Sequence, residues 1–376
     1  MKPTVRIATT LAVTLFAWSA ASTAQTRRDE AGADHAVFVQ TNAPAGNGIV
    51  VFDRARDGAL TLSGTFPTGG KGSRQVGAPS DPLASQNSLV HDRSHQLLFA
   101  VNAGSDTISV FQVDGDQLEL TQVVSSGGPF PVSIAVHRNL LYVLDAGLAG
   151  FVSGFRIDDD HLEPIEGSTR TLGLANTNPP FFLSSPAQVG FTPDGKQLLV
   201  TTKTSNTVDV FAVGDDSRLS PEPVRNPDAP LPFPFLFGPD NLLVLVTAGN
   251  SSVSTFSVGR DGRLVSKGGP VPDAQAAACW IVSAHEFHYV ANTGSNDVSQ
   301  YRVRGDGSVA LVNATAATGI PGATDMTTAG GGRFLYVLSG TSSTAYAYEV
   351  RSDGSLGLIQ TVPVPGGADM EGIASN

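Results

Sequence analysis

Apolar and polar positions alternate in short runs along most of the chain, and no stretch sustains a helical period of 3.6 residues. An apolar run such as Leu97-Leu98-Phe99-Ala100-Val101 ends on a small polar residue and turns through Gly, Ser or Thr. It then returns as an alternating strand closed by an aromatic. The unit recurs at 97–111, 140–155, 197–211, 242–256, 287–301 and 334–348, with a looser copy at 37–52. Phe52, Phe111, Phe155, Phe211, Phe256, Tyr301 and Tyr348 close the seven copies, most of them about 45 residues apart. An acidic residue and a glycine then follow in most copies: Asp57-Gly58, Asp114-Gly115, Asp261-Gly262, Asp306-Gly307 and Asp353-Gly354. Asp-Gly between alternating strands marks a hairpin, because such turns need positive φ. The repetition reads these carboxylates as turn formers rather than metal ligands.

Each copy is preceded by one more short apolar strand, as at 132–136, 187–191 and 279–282. Four antiparallel strands per repeat predict an all-β, seven-bladed β-propeller occupying 35–376 as one domain. The first copy lacks its inner strand, and 369–374 has no blade of its own after it. The C-terminal strand is therefore expected to complete blade one and close the ring, which leaves no open sheet edge. The long connections, 68–84, 173–186 and 221–232, are all read as crossovers between blades. They rise on one face, where binding is expected.

Composition narrows the chemistry. The 41 glycines and 24 prolines suit many tight turns. The net charge of −11, with no basic run longer than Arg27-Arg28, argues against nucleic acid as a partner. Cys279 is the only cysteine, so no intrachain disulfide forms, and it is expected to pack beside Trp280. His91, His95, His137, His285 and His288 fall on the face opposite the crossovers, and no metal or other cofactor is expected. No nucleophile elbow or nucleotide-binding loop is present. Residues 1–24 carry Lys2 and Arg6, an apolar stretch and Ser22-Thr23-Ala24, the pattern of a signal peptide cleaved before Gln25. Residues 25–34 read as a linker. Loss of Lys2 and Arg6 takes the net charge from −11 to −13. The expectation is an acidic monomer, periplasmic or secreted, with no insertion into membranes.

The repeat as it stands at 289–301 (YVANTGSNDVSQY), with Phe191-Thr192-Pro193-Asp194-Gly195, resembles the seven-bladed propeller lactonases. That family includes 6-phosphogluconolactonases and a fungal 3-carboxymuconate lactonising enzyme, and the resemblance covers about 35–376. It implies lactone hydrolysis. Members often carry Pro-Arg-His where this chain has Pro186-Ala187-Gln188, and a Glu where it has Lys203. Ala-Glu-Ile-His is matched by Ala278-Cys279-Trp280-Ile281, and an Arg by Thr293. The side chains suited to a phosphosugar or tricarboxylate lactone are thus missing, and the implied substrate is a neutral or aromatic lactone.

One aligned position on the seven inner strands reads Asn87, Ser133, Gln188, Pro234, Cys279, Asp325 and Asp369. Asp325 and Asp369 would stand side by side on blades seven and one. Two close carboxylates cannot both ionise cheaply, so one would hold a proton and serve as a general acid or base. Lys203 would face a carbonyl oxyanion, and Asn87, Gln188, Trp280 and Thr293 would line the channel mouth as binding residues. Two functions remain open at this level. One is an exported hydrolase of a small-molecule lactone. The other is a non-catalytic propeller that binds a protein, glycan or small ligand through its looped face, its aspartates merely bonding the backbone at strand starts.

Overall fold

The second strand of each repeat is apolar almost throughout, and such strands are stable only where both faces are covered. Leu97–Asn102, Gln197–Thr202, Phe287–Asn292 and Phe334–Ser339 are buried at every position. Neighbouring blades supply the cover: Phe99, Tyr142 and Phe211 share one core cluster, and Tyr289, Leu335 and Val337 another. Each fully buried Phe or Leu side chain contributes roughly 2 kcal/mol. Outer strands such as Leu264–Pro272 are mostly exposed or half-buried.

The computed structural model describes residues 35–227, 229–366 and 370–376. It forms seven antiparallel sheets, six of them four-stranded. Their inner strands touch in a closed circuit: Leu89–Asp92, Pro131–His137, Pro186–Phe191, Pro232–Phe237, Ala278–Ala284, Ala323–Ala329 and Ile373–Ser375. The seven-bladed propeller is therefore borne out, as is its closure. Ile373, Ala374 and Ser375 pair with Val39, Phe38 and Val37. Asn376 Oδ1 accepts from Ala36 N at 2.5 Å, and Asn376 N donates to Ala36 O at 3.2 Å. The leader at 1–24, the linker at 25–34 and Asp369 lie outside the described residues.

Two details correct the reading from sequence. The outer strand of blade three is split: His161–Pro164 and Arg170–Thr171 both pair with Phe151–Asp158. The segment 221–232 is not all crossover, because Val224–Asn226 is the outer strand of blade four.

The Asp-Gly turns behave as expected. The side chains of Asp57, Asp261, Asp306 and Asp353 accept from the backbone N–H two residues on, at 2.8 to 3.1 Å. Gly58, Gly262, Gly307 and Gly354 take φ of 88, 80, 92 and 80°, a region open to glycine at little cost.

The end of the second strand carries a repeated polar position. Asn102 donates to Thr107 Oγ1 and Ser109 Oγ, and Asn292 to Asp297 Oδ1 and Ser299 Oγ, at 2.7 to 3.1 Å. Blade three puts Asp145 there. It is fully buried, and among the described residues neither carboxyl oxygen has a close hydrogen-bond partner. The nearby Ser126 hydroxyl faces the carbonyls of Asp106 and Gly128 instead. Burial, with Asp106 close by, pushes Asp145 up to about 7.

Candidate active site

A register shift recurs at the crossover end of the inner strands of blades three to seven. The extra residue re-aims side chains, as bulges do beside sites. Cys279 and Asp325 fall in these shifts.

The first crossover lies over this end of the channel. Gln86 N donates to Ala187 O, and its amide pairs with both main-chain groups of Ile281 at 3.1 Å. Asn87 O accepts from Ile134 N at 2.8 Å, and Ser133 Oγ donates to Gln86 O at 2.7 Å. One short segment thereby touches blades three, four and six. Ala84 and Asn87 bend it with φ of 47 and 67°.

Beneath it, side chains from separate parts of the chain converge. Glu371 Oε2 accepts from Leu83 N at 2.6 Å, and Oε1 lies 3.2 Å from Ser85 N and 2.9 Å from Ser85 Oγ. Asp81 Oδ1 accepts from Ala84 N at 2.6 Å, and its carboxyl is hydrogen-bonded to that of Glu371. Lys203 Nζ donates to Ala84 O at 2.8 Å and sits 5.1 Å from the centre of the Phe233 ring. Trp280 packs edge-on against Phe233 and donates Nε1–H to Ser85 O at 2.8 Å. Asp325 accepts from Met326 N at 2.8 Å and Ile373 N at 3.3 Å.

Burial sets the electrostatics. It lowers Lys203 to about 8, against the pull of Asp81, Cys279 and Glu371. It raises Asp325 to about 7. Glu371 is raised well above the usual carboxylate range by burial and then by the Asp81 charge. Burial also raises Asp81, although Glu371 and Lys203 oppose this. A hydrogen-bonded acid pair of this kind shares one proton. Desolvation and then the Asp81 charge push the Cys279 thiol up to about 12, against the opposing effects of Lys203 and a hydrogen bond to Thr293. Among the described residues, no group of three His, Cys, Asp or Glu is placed to hold a metal ion.

Four residues singled out from sequence meet here: Asp325, Lys203, Trp280 and Thr293. Trp280 is 1% exposed and supports the cluster from below, and Glu371, Lys203, Asp325 and Asp81 are themselves only 0, 2, 4 and 6% exposed beneath the crossover. Thr293 Oγ1 donates to Ala323 O at 2.7 Å. Asn87 and Gln188 line the channel on its other side, and the Gln188 amide pairs with the main chain of Phe235. Reasoning from sequence passed over Asp81 and Glu371. Glu371 stands two residues beyond Asp369 in the closing segment, and Asp81 lies within Pro79-Ser80-Asp81-Pro82 of a crossover already marked as long.

The family described as lactonase, 7-bladed beta-propeller, matches residues 87–371. Among solved structures, the periplasmic gluconolactonase of Pseudomonas aeruginosa is 17% identical, with a TM-score of 0.68 over 92% of this chain and 100% of that one. A putative 6-phosphogluconolactonase from Bacteroides uniformis is 18% identical, with a TM-score of 0.68 over 90% and 99%. A Lactobacillus plantarum protein is 21% identical, with a TM-score of 0.67 over 90% and 99%. These likenesses establish the fold. Among curated proteins no sequence matches.

Proposed function

Because the chain belongs to the seven-bladed β-propeller lactonase family, we propose that it hydrolyses a neutral or aromatic lactone at the crossover end of its channel. The observation that carries this reading is the meeting of Asp325, Asp81, Glu371 and Lys203, with Asp325 and Lys203 at about 7 and 8. Groups displaced toward neutrality exchange protons most effectively at physiological pH. Asp325 takes a proton from water, whose oxygen adds to the lactone carbonyl. The Lys203 ammonium faces the resulting oxyanion. The ring C–O bond then breaks, and the ring oxygen takes the proton from the Asp325 carboxyl, which gives a hydroxy acid. Asp369, two residues before Glu371, belongs to the same proposal. Even with one proton shared by Asp81 and Glu371, the cluster has no surplus of positive charge to hold a phosphate dianion, which favours a substrate without phosphate.

A second reading has an observation of its own. Lys203, Glu371, Asp81 and Trp280 all bond the main chain of residues 83–85. That is the pattern of a clasp holding the crossover on a non-catalytic binding propeller. Assay of the purified protein against δ-gluconolactone, dihydrocoumarin and 6-phosphogluconolactone, corrected for spontaneous hydrolysis, separates the two. Turnover of either unphosphorylated lactone supports the hydrolase, and no turnover across the set supports the clasp. The leader pattern at 1–24 supports export to the periplasm or medium. Among the described residues, no helix is long and apolar enough to cross a membrane.

A further inference from the structure

At its opposite mouth, on the face of the hairpin turns, the channel widens into a cavity of about 750 Å³. A second cavity of about 430 Å³ shares Asn87, Val90, Arg93 and Phe237 with it. The space is in the range that holds small organic ligands.

Its walls and its rim differ in chemistry. Half-buried Val136, Phe191, Leu236 and Phe237 line the walls. At the floor, the amides of Gln86 and Gln188 are bonded to the main chains of Ile281 and Phe235, so the floor offers satisfied groups. The rim carries exposed Arg93 and Arg138, from the first hairpin turns of the adjacent blades two and three. Arg218, Arg225, Arg263, Arg302 and Arg333 each reach a carboxylate elsewhere on the ring. Arg93 and Arg138 reach none among the described residues.

Asp325 lines the smaller cavity, and the one carboxylate on the lining of the larger, Asp92, is already committed. Its Oδ2 is 2.6 Å from His95 Nδ1, and Oδ1 accepts from Ser94 N and Ser94 Oγ at 2.9 and 2.5 Å. His91 Nδ1 faces Ser375 O at 3.1 Å, and the His137 ring packs 5.8 Å from Phe191. Burial and Arg138 hold His137 below the usual histidine range, and so neutral near pH 7. The fixed positive charge at the mouth therefore comes from two guanidiniums, in a chain whose net charge is −11. Guanidinium pairs recognise carboxylates by charge-assisted, often bidentate hydrogen bonds.

We propose that this mouth is a binding site for an organic anion with one carboxylate and an apolar body, of arylalkanoate size. The carboxylate lies between Arg93 and Arg138, and the body lies against Phe191, Leu236 and Phe237. The anion site lies in the larger cavity, which Asp325 does not line, and its test reads binding alone.

Isothermal titration of the purified protein with 3-phenylpropanoate tests it, beside the uncharged 3-phenylpropanamide and inorganic phosphate. The expected result is saturable binding of the carboxylate, with the amide and phosphate each weaker by about tenfold or more. The double variant Arg93→Gln/Arg138→Gln, altered only at exposed positions, should keep its melting temperature and lose a similar factor. Absence of carboxylate binding, equal binding of the amide or of phosphate, or undiminished binding by the double variant would each overturn the proposal.

Discussion

Replacing Asp145 by Asn should stabilise the protein, and by an amount that depends on pH. The carboxyl is fully buried, neither oxygen has a close hydrogen-bond partner among the described residues, and burial, opposed only in part by Ser126, moves its pKa from 3.8 to about 7 on folding. Between those values the folded chain holds a proton that the unfolded chain has released, so stability falls as pH rises through this window. A shift of about three units corresponds to about 4 kcal/mol at pH 8, fully developed, and to about 1 kcal/mol at pH 4.5. Asparagine cannot ionise and so escapes this cost. Its amide also stands where Asn102 and Asn292 stand, and the corresponding hydroxyl, Ser153 Oγ, is 3.1 Å from Thr169 Oγ1 and can accept from it. Urea unfolding of both proteins at pH 4.5, 6 and 8 measures the difference. A gap that widens with pH supports the reasoning, while a gap equal at 4.5 and 8, or a loss of stability at all three, refutes it.

Further expectations follow from the closure and the cluster. Deleting residues 370–376 removes the pairing with Val37–Val39 and the Glu371 contacts, so the truncated chain should fail to fold cooperatively, and a melting temperature equal to that of the full chain would contradict closure. The half-buried Cys279 thiol, at about 12, should resist a disulfide reagent at pH 8 in the folded protein and react at once on unfolding; rapid native labelling would contradict its raised pKa. Lys203, lowered from 10.5 to about 8, binds fewer protons folded than unfolded between those values, so stability from this group rises with pH there. Lys203→Met should remove that rise in a denaturation series from pH 8 to 10.5, and an unchanged slope would place the charge elsewhere. Mass spectrometry of exported protein should find Gln25 at the N-terminus, and retention of Met1–Ala24 would contradict the leader reading.

The architecture was legible because it is written in repeated local signals. The closing aromatics, the Asp-Gly turns and the continuous second strands each recur in most blades and each has a physical reason. Where one blade departs from the rest, the sequence carries less. The split outer strand at Glu166-Gly167 and the short strand Val224–Asn226 lie in stretches rich in turn formers, with little alternation to mark them. The site was legible only in outline. Alignment of the inner strands singled out Asp325, and the second-strand turn singled out Lys203. The register shifts at the strand starts, however, move side chains by amounts that no periodicity records. Asp81 belongs to a loop without a repeat, and its meeting with Glu371 is nearly 300 positions distant in sequence. Trp280, chosen as a mouth residue, is held inward by Phe233 and the Ser85 carbonyl.

The most direct test of the proposed chemistry is the pH profile of kcat/KM for an unphosphorylated lactone, compared between the wild type and Asp325→Asn. With Asp325 as the general base, the wild-type profile should rise through about 7 as its carboxyl ionises. The variant should keep its fold and lose about 10²-fold or more in rate, with the rise near 7 gone. A variant that retains wild-type activity and the same profile would contradict the assignment.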